Sequence, residues 1–403
     1  MPHISPGGDI LINSICRHVT TLFIAIKKEM KPSITRHVAG VVLLATACVL
    51  QIALWTDCMY HFPLKRAEEQ ITVVANRYSF PRPCLTFHFI HTTDHTTFRP
   101  QNVRVIESVF YHHPNAKVIL HFIDRNMMTL RPLLRIRDEA GYNLQLKEHH
   151  LENLIQTAID MPNSAINEEA ARSWMSKIEI YMKGKHWYAQ YSDGLRLLFL
   201  YTQGGVYMDT DVIVVKPLDQ LHNVVGFAQN DKLVNNAVLI FDKGNSFLAD
   251  CINEYFSTFK TEVWDFNGPQ LLTRVQKREP YSSCQDRAAK RIADATSSSM
   301  SIGYKNCLAD APEVCSVEIL EEAAFSPIRW NEIGKICFKA ELNASSVASK
   351  VNASKVKEDI EKSSYVVHAY NKISSEFFMS KLKPNTVCHW AYNLFCIFCD
   401  EVL

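Results

Sequence analysis

The sequence predicts an α/β fold, with a mixed, mostly parallel central sheet flanked by helices. Three observations carry this. After residue 83, strand-like apolar runs alternate with helical patterns, the order that builds a largely parallel sheet covered on both faces. The opening unit shows it clearly: CLTFHFI (Cys84–Ile90) reads as a strand, Gln101 to His112 as a helix, and AKVILHFI (Ala116–Ile123) as a second strand after a His-Pro-Asn turn. The composition agrees: of 403 residues, 47% are hydrophobic and 21% charged, which leaves an ample core and no sign of disorder. Lys plus Arg is 43 against Asp plus Glu at 42, so no overall field favours nucleic acid, and none is expected as a partner.

Before that region the chain is different. VAGVVLLATACVLQIALW, from Val38 to Trp55, carries no charge and approaches the roughly 20 residues a helix needs to cross a bilayer. Lys27, Lys28, Lys31 and Arg36 precede it, whereas Asp57 and then only Lys65 and Arg66 follow. The positive-inside tendency therefore predicts a cytosolic tail over 1–37, a signal anchor over 38–56, a short stem over 57–82 and a lumenal domain over 83–403. The shortness of the apolar run suits a thin early secretory membrane. Asn343-Ala-Ser and Asn352-Ala-Ser are glycosylation acceptors on the lumenal side of that topology. Ten of the 12 cysteines lie from Cys58 onward, where disulfides persist. Cys396-Ile-Phe-Cys399 invites a redox or zinc reading, but it has no second Cys-x-x-Cys and no βαβ context, so disulfide bonding is preferred.

The centre of the chain concentrates the chemistry. Ser192-Asp193 reads as the start of a helix, with Ser192 as N-cap and Asp193 in the first turn, followed by an all-round apolar stretch that Gly204 and Gly205 end. Asp193 and Arg196 are three apart and share a helix face, as an ion pair or as a pair poised to bind a polar ligand. Val206–Met208 is a short strand, then Asp209-Thr210-Asp211 precedes a second, Val212–Val215. In extended chain, residues two apart project to one side, so Asp209 and Asp211 either hold a cation, for which oxygen ligands suit Mn²⁺ or Mg²⁺, or form a turn. Gln285 to Ser301 and Asn343 to Ser364 read as surface insertions.

SDGLRLLFLYTQGGVYMDTDVIVVKPL resembles the signature of the DXD-containing alpha-1,4-glycosyltransferase family, which includes globotriaosylceramide synthase-like and alpha-1,4-N-acetylglucosaminyltransferase-like enzymes. TFHFIHTTD, NNAVLIFDKGNSFLADCINEYF, WDFNGPQLLTRV, FSPIRW and YVVHAYNKIS resemble its other segments, over about residues 83 to 390. The DXD region covers 190–220 and the C-terminal region 235–390. The resemblance implies a single GT-A-like catalytic domain in the Golgi membrane. It further implies Mn²⁺ (or Mg²⁺) as cofactor, a UDP-sugar as donor, and a glycolipid or glycoprotein glycan as acceptor, and it leaves homo-oligomerisation open. Position by position, it makes Asp209 and Asp211 metal ligands that reach the donor diphosphate, and Asp193 and Arg196 contacts to donor-sugar hydroxyls. Thr92 and Thr93 would lie near the nucleotide, Asn236, Asn267 and Gln270 would line the donor or acceptor site, and His368 would touch metal or diphosphate. Where many relatives read His-x-Trp-Asn-Lys this chain has His368-Ala-Tyr370-Asn-Lys, which keeps an aromatic surface for a sugar but changes its size.

The chemistry implied is retaining transfer of galactose or N-acetylglucosamine, with an alpha-1,4 linkage. No side chain stands out as a nucleophile, so a front-face substitution is expected. A glycosidase would need carboxylates flanking a sugar from both sides, for which Asp209 and Asp211 are too close in sequence. A catalytically inactive, lectin-like Golgi protein of the same fold is the alternative.

Overall fold

The computed structural model describes residues 85–229, 232–282, 316–342, 352–378 and 382–399. All belong to one compact unit, Arg82–Leu403. The expected cytosolic tail, anchor and stem, Asn343 and the 285–301 segment lie outside the described residues. Among the described residues no helix is long and apolar enough to cross a membrane.

The first expected unit is present with its boundaries shifted by one or two residues. Strand β1 (Thr86–His91) leads through helix α1 (Pro100–His112) to β2 (Lys117–Phe122), and β1 pairs with β2 in parallel. Strand β3 (Leu144–Glu148) adds on beyond β2, and β4 (Gly205–Met208) pairs in parallel on the other side of β1. Strand β5 (Val212–Val214) leaves this sheet. Strands β6 (Val224–Ala228), β7 (Leu233–Phe241) and β8 (Glu318–Leu320) complete a seven-stranded sheet of order β3-β2-β1-β4-β7-β6-β8. Only the two pairings made by β7, with β4 and with β6, are antiparallel. The sheet is therefore mixed and mostly parallel, as expected.

Alternation along each strand feeds two cores. Phe87 and Phe89 of β1, Val118 and Leu120 of β2 and Val206 and Met208 of β4 face α1 and the C-terminal elements. Ile90, Tyr207 and Leu239 face the opposite layer, built on helix α2 (Trp187–Gln203), helix α3 (Ser246–Thr258) and helix α4 (Pro269–Gln276). Both faces of the sheet are thus dry, which is why its strands carry so few polar side chains.

Two expectations are corrected. The central helix α2 begins at Trp187, so Ser192 is no N-cap and Asp193 sits in the helix interior rather than its first turn. Trp187 and Tyr191 stack with a 5.0 Å centroid separation, and this buried aromatic turn extends the helix backwards into a stretch that looks irregular in sequence. The segment taken as a surface insertion, 343–364, contains helix α5 (Ala353–Ser363), which buries Ala353 and Ile360 against the core. Its start is capped by the side chain of Asn352, one of the two expected glycosylation acceptors, which is exposed. The disulfide preference is met: Cys396 bonds Cys399, and Cys337 bonds Cys388 across 51 residues.

The layer between the sheet and α2 holds a stack of imidazoles. His88 Nε2 lies 3.0 Å from the Gly204 carbonyl and must donate to it, so His88 Nδ1 accepts from His121 Nε2, also at 3.0 Å. His121 lies 3.6 Å from the Phe199 ring, and His149 Nε2 meets the Tyr191 hydroxyl. Burial pushes His88 and His149 down to about 4, and burial with the neighbouring imidazoles pushes His121 well down. These rings stay neutral in the folded protein, whereas in the unfolded chain they take up protons below about pH 6.5. The unfolded state then binds more protons, so stability falls as pH drops from about 6.5 toward 4 and levels below that. Chemical denaturation at pH 7.5 and 5 is expected to show a loss on the order of several kcal/mol, and His121→Phe should flatten that dependence.

Candidate active site

The site lies at the carboxyl end of β4, beside β1. There the sheet order reverses, with β2 and β3 on one side of β1 and β4 on the other, which is where open α/β sheets bind ligands. Gly205 is what lets β4 come this close to β1. Its φ is +106°, and a Cβ there would stand 2.3 Å from the Thr86 carbonyl oxygen, so only glycine fits.

Helix α2 and β4 bring the first three polar groups together. Asp193 and Arg196, both buried, lie 3.3 Å apart, and Arg196 Nη1 reaches Asp209 Oδ1 at 3.2 Å. The guanidinium also donates to the Ser192 hydroxyl (3.1 Å) and the Asn236 carbonyl (2.7 Å), and packs over the Tyr207 ring at 4.5 Å. Asn236, on β7, donates its amide to Asp193 Oδ1 at 2.7 Å, and the Tyr207 hydroxyl donates to Asp209 Oδ1. Burial is the largest influence on Asp193, and it prevails over the nearby guanidinium to push the carboxyl up to about 7. Asp209 is also pushed up, by burial and the Asp211 charge against the pull of Arg196. Arg196 is more basic than usual: burial opposes its charge, but Asp209, Tyr207 and Asp193 outweigh it.

The second half of the site arrives from the far end of the chain. Strand β9 (Val366–His368) pairs antiparallel with β5, and its register sets His368 opposite Val212, next to Asp211. His368 Nε2 lies 3.3 Å from Asp211 Oδ1, though not aligned as a hydrogen bond. Tyr370 then adopts a left-handed backbone (φ 54°), stacks on His368 at 3.8 Å, and turns the chain so that the Asn371 N–H donates to Asp211 Oδ2 at 2.7 Å. A non-glycine residue held in that conformation beside a polar cluster is the kind of strain found at functional sites. Burial raises Asp211, but the adjacent His368 and the Asn371 N–H prevail and hold it below the usual carboxylate range; His368 is raised by Asp211 against its own burial. Ligand atoms of Asp209, Asp211 and His368 all lie within 4.8 Å of one another.

Known proteins match this architecture in two blocks. Residues 100–227 match the glycosyltransferase sugar-binding region containing the DXD motif, and residues 240–403 match the alpha 1,4-glycosyltransferase conserved region. Lactosylceramide 4-alpha-galactosyltransferase of Pongo pygmaeus is 30% identical over 183 residues, covering 45% of this chain and 67% of that one. Its rat counterpart is 28% identical over 309 residues, covering 73% and 72%. This chain belongs to the alpha-1,4-glycosyltransferase family. Human alpha-1,4-N-acetylglucosaminyltransferase is 27% identical over 125 residues, 31% of this chain and 36% of that one. Among solved structures, the PaToxG glycosyltransferase aligns with a TM-score of 0.37 at 16% identity, covering 58% of this chain and 82% of that one.

In this glycosyltransferase the two matched blocks meet at the site. Asp193, Arg196, Asp209 and Asp211 come from the first block and His368 and Tyr370 from the second, joined by the β5–β9 pairing. The hydrogen bonds of the remaining expected residues run to other parts of the chain. Thr92, buried at the end of β1, donates to the Tyr188 carbonyl at 3.2 Å, and Thr93 pairs with the Thr97 hydroxyl at 2.7 Å. Asn267 spends both ends of its amide on the backbone of Lys260, at 3.0 and 2.7 Å, so it shapes the 260–267 loop. Gln270 donates to Asp265 at 2.8 Å. That loop nevertheless touches the site through Gly268.

Several participants were not assigned from sequence. Tyr207 and Ser192 are inside the quoted motif, so only their roles were missed. Asn102 of α1, whose amide donates to the Thr210 carbonyl at 2.8 Å and braces the Asp-Thr-Asp turn, carries no local signal at all. Gly268 is similar: a Cβ there would stand 2.5 Å from Asn236 Nδ2 and 2.6 Å from Asp193 Oδ2. Gly268→Ala is expected to push those two side chains apart and lower kcat/KM by about 10- to 100-fold, with a melting loss of only about 1–3 kcal/mol. Kinetics and thermal denaturation on the same sample check it.

Proposed function

We propose that this glycosyltransferase moves a hexose, galactose or N-acetylglucosamine, from a UDP-sugar to a glycan acceptor, with a divalent cation and with retention at the anomeric carbon, forming an alpha-1,4 linkage. The observation that carries the reading is the convergence of Asp209, Asp211 and His368 beside the Asp193–Arg196 pair. The donor set fits a divalent ion. Its ligand atoms lie within 4.8 Å of one another, and Asp211 Oδ1 is buried without a hydrogen-bond partner. One imidazole among carboxylates favours Mn²⁺ over the harder Mg²⁺. An ion held by Asp209, Asp211 and His368 would supply neutralisation of the diphosphate that leaves.

The chain's own groups do the rest. Arg196 stands between Asp193 and Asp209 and cancels their repulsion, so both can be held in one buried cluster. Asn236 and Arg196 fix the Asp193 carboxylate, whose second oxygen is left to receive donor-sugar hydroxyls. Tyr207 and the Asn371 N–H each hold one aspartate oxygen, and Asp209 keeps 29% of its side chain accessible toward ligand. The bond from the anomeric carbon to the diphosphate breaks as that to the acceptor oxygen forms on the same face, and the acceptor proton passes to a diphosphate oxygen. The expected site is a lumenal domain in the Golgi membrane, tethered by residues 38–56.

The test is UDP release by the purified full chain with a panel of UDP-sugars, Mn²⁺ and glycan acceptors. Turnover with UDP-galactose or UDP-N-acetylglucosamine that EDTA stops and Mn²⁺ restores supports the reading. Full activity in EDTA, or donor binding without turnover, overturns it, the latter in favour of a lectin-like role.

A further inference from the structure

The loop of residues 260–268, which presses Gly268 against Asp193, is held from several sides. Gln190, fully buried on α2, donates its amide to the carbonyls of Lys260, Thr261 and Val263 at 2.9, 3.3 and 3.1 Å. Asn267 ties both ends of its amide to Lys260. The Phe266 ring is gripped by two cations, the Lys260 ammonium at 4.2 Å and the Arg274 guanidinium at 4.0 Å from its centroid. This fixed loop nevertheless holds Trp264 out in solvent, 46% exposed, with Asp265 half-buried beside it. A loop ordered before its ligand arrives binds that ligand without a further loss of conformational entropy.

Both side chains are oriented. The Lys372 ammonium lies 4.4 Å over the Trp264 ring, and Lys372 directly follows Asn371, whose N–H holds Asp211. Gln270 donates to Asp265 Oδ1 at 2.8 Å, and no described residue bonds the second oxygen. Asp265 stands near enough to Asp193 for its charge to add to the upward push on that carboxyl, so the pair borders the site. The loop leads into α4, where the Thr273 hydroxyl accepts the Val234 N–H of β7, the neighbour of β4 on the side away from β1. With the nucleotide on the β1 side in the reading above, this side is left to the other substrate. An aromatic face beside a carboxylate fits a pyranose: the C–H bonds of one sugar face pack on the ring, and hydroxyls donate charge-assisted hydrogen bonds to the carboxylate.

We propose that Trp264 and Asp265 form the acceptor subsite, the indole carrying the pyranose that receives the hexose and the carboxylate fixing its hydroxyls. The inference rests on the glycosyltransferase reading above and deepens it by naming the groups that select the acceptor. The loop that carries the subsite also sets Gly268 against Asp193, so the receiving sugar is held at a fixed distance from the donor side of the site. A carboxylate committed to hydroxyls discriminates against a sugar that lacks them, because it would then be left unpaired.

The experiment titrates lactose, N-acetyllactosamine and cellobiose into the full chain, with UDP and Mn²⁺ present, and follows tryptophan emission. A saturable change with at least one disaccharide that disappears in Trp264→Leu supports the proposal. A change that persists unaltered in the variant, or no change with any of the disaccharides, overturns it. Kinetics then separate a subsite from a structural brace. With a disaccharide that accepts the hexose, Trp264→Leu and Asp265→Asn should each raise the acceptor KM by about 10- to 100-fold, while the donor KM moves by less than about twofold. Donor and acceptor KM rising together, or neither moving, overturns the assignment. If a disaccharide alters Trp264 emission but no UDP-sugar releases UDP, the subsite stands and the transferase reading fails instead.

Discussion

Asp211→Asn is expected to lower sugar transfer by roughly a thousandfold, the scale seen when one charged group at a developing negative charge is neutralised. The variant is nearly isosteric, so the Asn371 N–H still finds an oxygen at the position where it now donates over 2.7 Å. What is lost is the charge facing His368 and any cation. The loss should appear in kcat at saturating donor, with the metal concentration needed for half-activity raised. Circular dichroism should stay native. The folded Asp211 titrates below its ordinary range, so its contribution to stability is present above about pH 4 and is lost as pH falls through that lower value. The stability gap between wild type and variant should therefore close in acid. Activity within tenfold of wild type would remove Asp211 from the mechanism.

Arg196→Met is the second large effect, and its first readout is folding. Among the described residues, the guanidinium is the one cation in contact with both Asp193 and Asp209. Removing it leaves the buried Asp193 and the half-buried Asp209 without their cation, and breaking a buried pair costs about 3–5 kcal/mol. Asp193, already pushed up to about 7, would rise further and take a proton. Its folded pKa would then lie far above its unfolded one, so the folded variant would bind the extra proton. The destabilisation relative to wild type should consequently shrink as pH falls from 8 toward 5. Thermal denaturation of both proteins across that range measures the difference and cancels the acid sensitivity of the shared histidine stack. Arg196→Lys keeps a charge but not the planar fork that serves Ser192, Asn236 and Asp209 together, so it should fold yet turn over poorly. A melting curve for Arg196→Met that matches wild type at pH 8 would show that the pair is not structurally required.

The larger part of the carboxylate–arginine cluster was legible because it is local. Asp193 and Arg196 share a face three residues apart, and Asp209 and Asp211 share a side two apart, and both relations follow from backbone geometry whatever surrounds them. The β1–α1–β2 unit was legible for the same reason, its periodicity changing over short windows. Where local reading failed, a tertiary contact had replaced a local signal. Ser192 looks like an N-cap, but its hydroxyl serves Arg196 inside a helix that stacking of Trp187 on Tyr191 extends by more than a turn. The 343–364 stretch looks like a polar insertion, but Ala353 and Ile360 find an apolar surface that no window of sequence displays.

The sequence by itself therefore determined the class of fold, the carboxylate pair at a strand end and the arginine one helix turn from an aspartate, since all of these are set by chain geometry over a few residues. Only the tertiary structure decided what completes the site. The antiparallel pairing of β5 with β9 brings His368 and the Asn371 N–H to Asp211 across 160 residues. The β4–β7 register sets Asn236 against Asp193, and Gly268 closes over both. Strand pairing is paid for by burial on both faces of a sheet and not by any local preference, so the partner of Asp211 could be settled only once the two cores had formed.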